Sequence, residues 1–151
     1  IKNNEPYLIE YNVRMGDPEC QVILPRLKTD LVRIINKAVN HKLKETSIKW
    51  KKEQSMTIVF CAKGYPGKFK KNIKLDKINK LRLSNKEFIF HAGTKYLNKK
   101  LLSNGGRILS VTILGKNFYK IRKNIISIFR KLNLKNGFYR KDIGWRVIKK
   151  Q

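Results

Sequence analysis

The sequence predicts an α+β fold built on a mostly antiparallel sheet, and three observations carry that expectation. Runs rich in β-branched and aromatic residues at 56–62, 87–91, 95–102 and 107–114 read as strands. A strongly amphipathic pattern over 117–132 reads as a long helix, and a second helical period covers 29–42. Helices laid on a largely antiparallel sheet define the class.

Taken in order, Tyr7 to Arg14 is the first expected strand. Alternation puts Leu8, Glu10, Asn12 and Arg14 on one face, with Tyr7, Ile9, Tyr11 and Val13 on the other. Met15-Gly16-Asp17-Pro18 is a turn. In the helix that follows, Leu31, Ile34, Ile35, Ala38 and Val39 share a period, Thr29 suits the N-cap, and Asp30 suits the positive end of the dipole. The polar run 44–54 reads as a connecting segment pinned by Ile48 and Trp50. It divides the chain into a first unit over 1–43 and a small α+β unit over 55–151.

Within the second unit, Lys63-Gly64-Tyr65-Pro66-Gly67 is a loop, and 95–102 is a hairpin turning near Asn98. Asn104-Gly105-Gly106 is expected to supply positive φ ahead of the strand at 107–114. In the helix from Asn117, residues Phe118, Ile121, Ile125, Ile128, Phe129 and Leu132 form the apolar side. A last strand over Trp145–Ile148 closes the sheet, with Trp145 in the core and Asp142 paired to Arg146.

Composition narrows the function classes. Hydrophobic residues at 41% and charged residues at 30% describe a globular chain, and no apolar run approaches a membrane span. Cys20 and Cys61 lack disulfide or metal-ligand spacing, which fits reduced, half-buried thiols and a cytoplasmic setting. The net charge of +26 suggests a polyanion partner, but Lys outnumbers Arg 27 to 9 and the lysines are scattered. Lys, Ile and Asn make up 59 of 151 residues, all encoded by A/T-rich codons, so most of the charge reads as solvated surface. A nucleic-acid-binding alternative rests on Lys63, Lys68, Lys70 and Lys71 interleaved with Tyr65 and Phe69, without a recognisable binding signature. Against this basic background, Glu5, Glu10, Asp17 and Glu19 crowd the first 19 positions, and a bound cation is the natural reason.

Glu10 and Asn12 are the candidate metal ligands. A carboxylate and a carboxamide two apart on a strand project side by side and offer the hard oxygens that Mg²⁺ prefers. Arg14, next on the same face, suits a phosphate or carboxylate through paired hydrogen bonds.

The stretch from Ile9 to Glu19 resembles the metal-binding strand and turn of ATP-grasp ligases. Glu-x-Asn-x-Arg by itself would also fit a different ATP-grasp ligase, such as a carboxylase. Four later blocks narrow the resemblance to the phosphoribosylamine–glycine ligase (glycinamide ribonucleotide synthetase) family: Lys63–Gly67, Phe90-His91-Ala92-Gly93-Thr94, Asn104-Gly105-Gly106-Arg107 and Tyr139–Arg146. The blocks stand in the family's order, and the similarity runs from about Pro6 to Ile148.

That resemblance implies that 1–43 is the end of an ATP-grasp domain and 55–151 the small C-terminal domain of the ligase. It implies Mg²⁺ or Mn²⁺ on Glu10 and Asn12, with Arg14 orienting substrate or phosphate. It also implies ATP, glycine and 5-phosphoribosylamine as substrates in purine biosynthesis, through phosphorylation of the glycine carboxylate and attack by the amine. No nucleic acid and no membrane partner is expected. The family's upstream nucleotide-binding region has no counterpart here, and the sequence opens on Ile1. The expectation is therefore a C-terminal fragment that needs the missing N-terminal part and is inactive alone.

Overall fold

A computed structural model of the chain describes residues 1–148. Its elements are α1 (Glu19–Ile23), α2 (Leu31–Val39), β1 (Gln54–Ala62), β2 (Glu87–His91), β3 (Thr94–Leu97), β4 (Lys100–Ser103), β5 (Arg107–Gly115), α3 (Phe118–Leu132) and β6 (Gly137–Phe138). One four-stranded sheet has the order β2-β5-β1-β6, and β3-β4 forms a separate hairpin. Every strand pairing among the described residues is antiparallel, in keeping with the expected class. The domain end expected at 151 lies outside the described residues.

β1 and β5 form the centre because each can be buried. Their register sets Met56, Ile58 and Phe60 opposite Ile113, Val111 and Leu109. All six are buried, and α3 packs across these two strands. Ile121, Ile125, Ile128, Phe129 and Leu132 are the buried residues of α3, the spacing of one helical face. Each such side chain contributes about 1.5–3 kcal/mol on burial. Ser110 and Thr112, of opposite parity on β5, are buried too, so that strand is covered on both faces. Thr112 meets its polar needs sideways, donating to Thr57 Oγ1 at 2.8 Å. Asn117 caps α3 by accepting from the Lys120 N–H at 3.0 Å, and Asn133 ends it in the left-handed region at φ 47°. The β3-β4 hairpin turns on Asn98 and Lys99, both at positive φ.

Six expectations are corrected. Residues 7–14 form no strand: among the described residues, no neighbouring strand accepts or donates to their backbone, and a ladder needs one. Asp30 rather than Thr29 is the N-cap of α2, accepting from the Arg33 N–H at 2.9 Å, while Thr29 Oγ1 takes the Lys49 N–H at 2.7 Å. Ile48 and Trp50 stay 42% and 46% exposed, so backbone bonds such as Lys51 N–H to Arg26 O at 2.7 Å pin the connecting segment instead. Residues 145–148 bond back locally to Asp142 and Gly144, leaving Gly137–Phe138 as the edge strand. There Trp145 is 62% exposed beneath the Arg146 guanidinium, and Asp142 pairs with Arg140 at 2.6 Å.

The two parts of the chain are built differently. None of the first 55 residues is buried, whereas every buried side chain among the described residues lies between Met56 and Leu132. In α2, Leu31, Ile35 and Val39 form an apolar stripe that remains 38–72% exposed. No described helix is long and apolar enough to cross a membrane.

Candidate functional site

Residues 7–14 belong to no helix or strand, and their side chains are open to solvent. Glu10 and Asn12 project to the same side: Asn12 Nδ2 donates to Glu10 Oε1 at 2.8 Å. The donor set suits a hard divalent cation, because the carboxylate and the carboxamide each bring one oxygen to that side. Exposure leaves other coordination positions open to water or phosphate. A flip of the Asn12 amide presents its carbonyl oxygen in place of the nitrogen. Among the described residues, no group of three or more His, Cys, Asp and Glu side chains is arranged to hold a metal, so this pair is at most a partial ligand set. Arg14 reaches only the Met15 carbonyl, at 3.3 Å, which leaves most of its guanidinium donors free.

The turn after this segment closes on itself. The Gly16 N–H donates to Glu19 Oε2 at 2.9 Å, and the Cys20 N–H donates to Gly16 O at 3.0 Å. Asp17 Oδ1 accepts from the Gln21 side chain at 3.0 Å. Asp17 Oδ2 lies 3.1 Å from Arg107 Nη2, at the head of β5. Arg107 thus pairs with a carboxylate of this same chain.

Three sequence blocks meet around Arg107. Gly93 N–H donates to the Arg107 carbonyl at 2.8 Å, and Asn104 and Gly105 donate to Gly93 O at 2.7 and 3.0 Å. Ala62 N–H donates to Gly106 O at 2.7 Å, which ties in the loop that follows β1. Neither Gly105 nor Gly106 has positive φ, contrary to expectation. They are small because neighbours press on them: a Cβ on Gly105 would lie 2.9 Å from Gly93 Cα, and one on Gly106 would run into the Tyr65 ring. In the 63–67 loop, Gly64 alone takes positive φ, at 97°.

The remaining candidates have structural roles. His91 Nδ1 lies 3.0 Å from Thr94 Oγ1. Both cysteines are free and half-buried, and burial pushes the Cys61 thiol above its ordinary range while Arg107 pulls the other way. Tyr65 and Phe69 pack edge-on with ring centres 6.2 Å apart, and Tyr65 also lies against Gly106, so these rings do not form an open stacking surface. Sequence reasoning missed the Asp17–Arg107 pair, since nothing in local spacing couples positions so far apart.

Comparison with known proteins places this geometry. The family described as Phosphoribosylglycinamide synthetase, C domain, matches residues 55–146. A phosphoribosylamine–glycine ligase of Brucella melitensis is 38% identical over 151 residues, covering all of this chain and 35% of the relative. One from Agrobacterium fabrum is 40% identical over 146 residues, covering 97% of this chain and 34% of the relative. The crystal structure of a phosphoribosylamine–glycine ligase from Thermotoga maritima superposes with a TM-score of 0.65 at 27% identity, covering 93% of this chain and 34% of that one. The chain thus spans about a third of the length of the relatives it matches. With its antiparallel α+β sheet and these matches, the chain belongs to the phosphoribosylglycinamide synthetase family and carries that family's C domain.

Proposed function

We propose that this chain is the C-terminal part of a phosphoribosylamine–glycine ligase, joining glycine to 5-phosphoribosylamine at the expense of ATP in purine biosynthesis. The observation that carries the reading is the 2.8 Å contact between Asn12 and Glu10 on an open segment, in a chain whose relatives bear that ligase's name. In this reading 1–43 ends an ATP-grasp domain, 44–54 connects, and 55–151 is the C domain. Glu10 and Asn12 would hold Mg²⁺ or Mn²⁺, and Arg14 would orient substrate or phosphate. The chemistry such a cation would supply is neutralisation of negative charge during phosphoryl transfer. What the chain's own side chains contribute is orientation: two oxygens on one side, and a guanidinium one step along. The reaction would take place in the cytoplasm, with small molecules as the partners.

The upstream part of the ligase would supply the nucleotide pocket, so the 151-residue chain alone should give no glycine-dependent ADP formation. The test compares purified chain with a complete ligase that carries it, supplying ATP, Mg²⁺, glycine and 5-phosphoribosylamine. Turnover by the complete enzyme only is the expected result. Turnover by the chain alone, or none by either, would overturn the reading.

A further inference from the structure

Of the four ion pairs among the described residues, only Asp17–Arg107 ties residues 1–50 to the sheet. Its two ends differ in rigidity. Arg107 opens β5 opposite Cys61, its carbonyl is held by Gly93, and Ile108 beside it is fully buried. Asp17 sits in a turn closed by Glu19 and Cys20, just after an open segment. Between Pro6 and Met15, among the described residues, no backbone hydrogen bond reaches another element. The first fixed points that follow Glu10, Asn12 and Arg14 are therefore this turn and its tie to Arg107.

We propose that Arg107 is a positioning residue. By gripping Asp17 it sets where the 16–19 turn sits on the sheet, and through the turn it sets where Glu10, Asn12 and Arg14 stand relative to the C domain. The catalytic consequence rests on the ligase reading; the structural tie does not. Stability is a poor explanation of the pair. Its side chains are 44% and 46% exposed, a setting in which ion pairs contribute little to folding. Position is another matter, since reacting groups displaced by about an ångström lose rate steeply.

The experiment uses Asp17→Asn, Arg107→Gln, the double variant, and the charge exchange Asp17→Arg with Arg107→Asp. In a complete ligase carrying this chain, each single change should raise the Mg²⁺ concentration for half-maximal rate about tenfold, with the melting temperature within about 4 °C of the parent. The double variant should be no worse than either single, and the charge exchange should recover part of the loss. Multiplying losses in the double variant would mean that Arg107 acts on substrate independently of Asp17, and would overturn the proposal. So would unchanged Mg²⁺ dependence in both singles.

A second readout needs no activity. In the 151-residue chain, amide exchange at Gly16 and Cys20 should quicken about fivefold in each single variant and no further in the double. Unchanged exchange would overturn the tie. Should the parent ligase show no glycine-dependent turnover, the ligase reading fails, and the exchange result still decides the tie.

Discussion

Gly105 lies against Gly93 so closely that a Cβ on either residue would run into the other's backbone. The contact brings the loop after β2 against the loop before β5, and Gly93 N–H reaches the Arg107 carbonyl through it at 2.8 Å. A Cβ on Gly93 would also stand 2.6 Å from that carbonyl oxygen. Backbone on both sides cannot step aside. Gly93→Ala should therefore destabilise the chain by about 2–3 kcal/mol, an overpacking cost. Gly67→Ala is the control, because its Cβ would meet only Gly64 O at 3.3 Å, and it should stay within about 1 kcal/mol. Urea unfolding of both variants checks the contrast, and equal midpoints would refute it.

The helix α3 offers a second comparison. Ile125 is fully buried, and Ile125→Ala should cost about 2–5 kcal/mol through lost burial and an unfilled cavity. Tyr119, 57% exposed on the same helix, should tolerate Ala within about 0.5 kcal/mol. Asn117→Ala falls between them at about 1 kcal/mol, since it leaves the Lys120 N–H without its cap. Thermal melts of the three variants should rank in that order.

Two carboxyls, Asp142 exposed and Glu53 half-buried, respond to their cationic neighbours. Arg140 donates to both oxygens of Asp142, at 3.1 and 2.6 Å, and holds that carboxyl below its usual range. The Lys86 hydrogen bond at 3.0 Å does the same for Glu53. A depressed carboxyl adds stability above its unfolded pKa and loses it as pH falls through the folded value. The losses therefore lie on the acid side, beneath the ordinary carboxylate range. Arg140→Gln should move the Asp142 titration upward, and Lys86→Gln should do so for Glu53. Carboxyl carbon shifts followed by NMR against pH measure both, and a downward move in either would contradict the assignment.

On the proposed ligase reading, Glu10→Gln and Asn12→Ala in a complete enzyme should each raise the Mg²⁺ requirement and lower kcat, by about 100-fold where each would remove an oxygen ligand from the cation. Direct Mn²⁺ binding, followed by electron paramagnetic resonance, should weaken in parallel. Rates and Mn²⁺ affinity equal to the parent's in both variants would remove these residues from the metal site.

What the sequence made legible was what the chain decides locally. β1, β5 and α3 were readable because their apolar residues repeat at periods that only one element type can bury, as with Ile121, Ile125 and Ile128. The side-by-side placement of Glu10 and Asn12 was readable too, since a spacing of two on extended backbone brings them to one side. Residues 7–14 and 145–148 alternate just as well, but alternation describes two faces and names no pairing partner. The former has no ladder, and the latter turns back on Asp142 and Gly144. The roles of Gly105 and Gly106 were hidden for the same reason: crowding by Gly93 and Tyr65 is tertiary. The Asp17–Arg107 tie, between a turn and a strand far along the chain, left no local trace at all.

That none of the first 55 residues is fully buried has an energetic corollary. Denaturant would report mainly on the sheet and α3, where the fully buried apolar side chains lie, with a smaller share from the half-buried residues 20–27 beside β1 and β5. In residues 6–15, whose backbone makes no hydrogen bond to another element, order is a low-cost local equilibrium that whatever binds can shift. A cation or phosphate arriving at Glu10 and Asn12 would spend part of its affinity on stilling a loose ribbon, and a neighbouring protein surface that stilled the ribbon beforehand would tighten that grip without touching the ion.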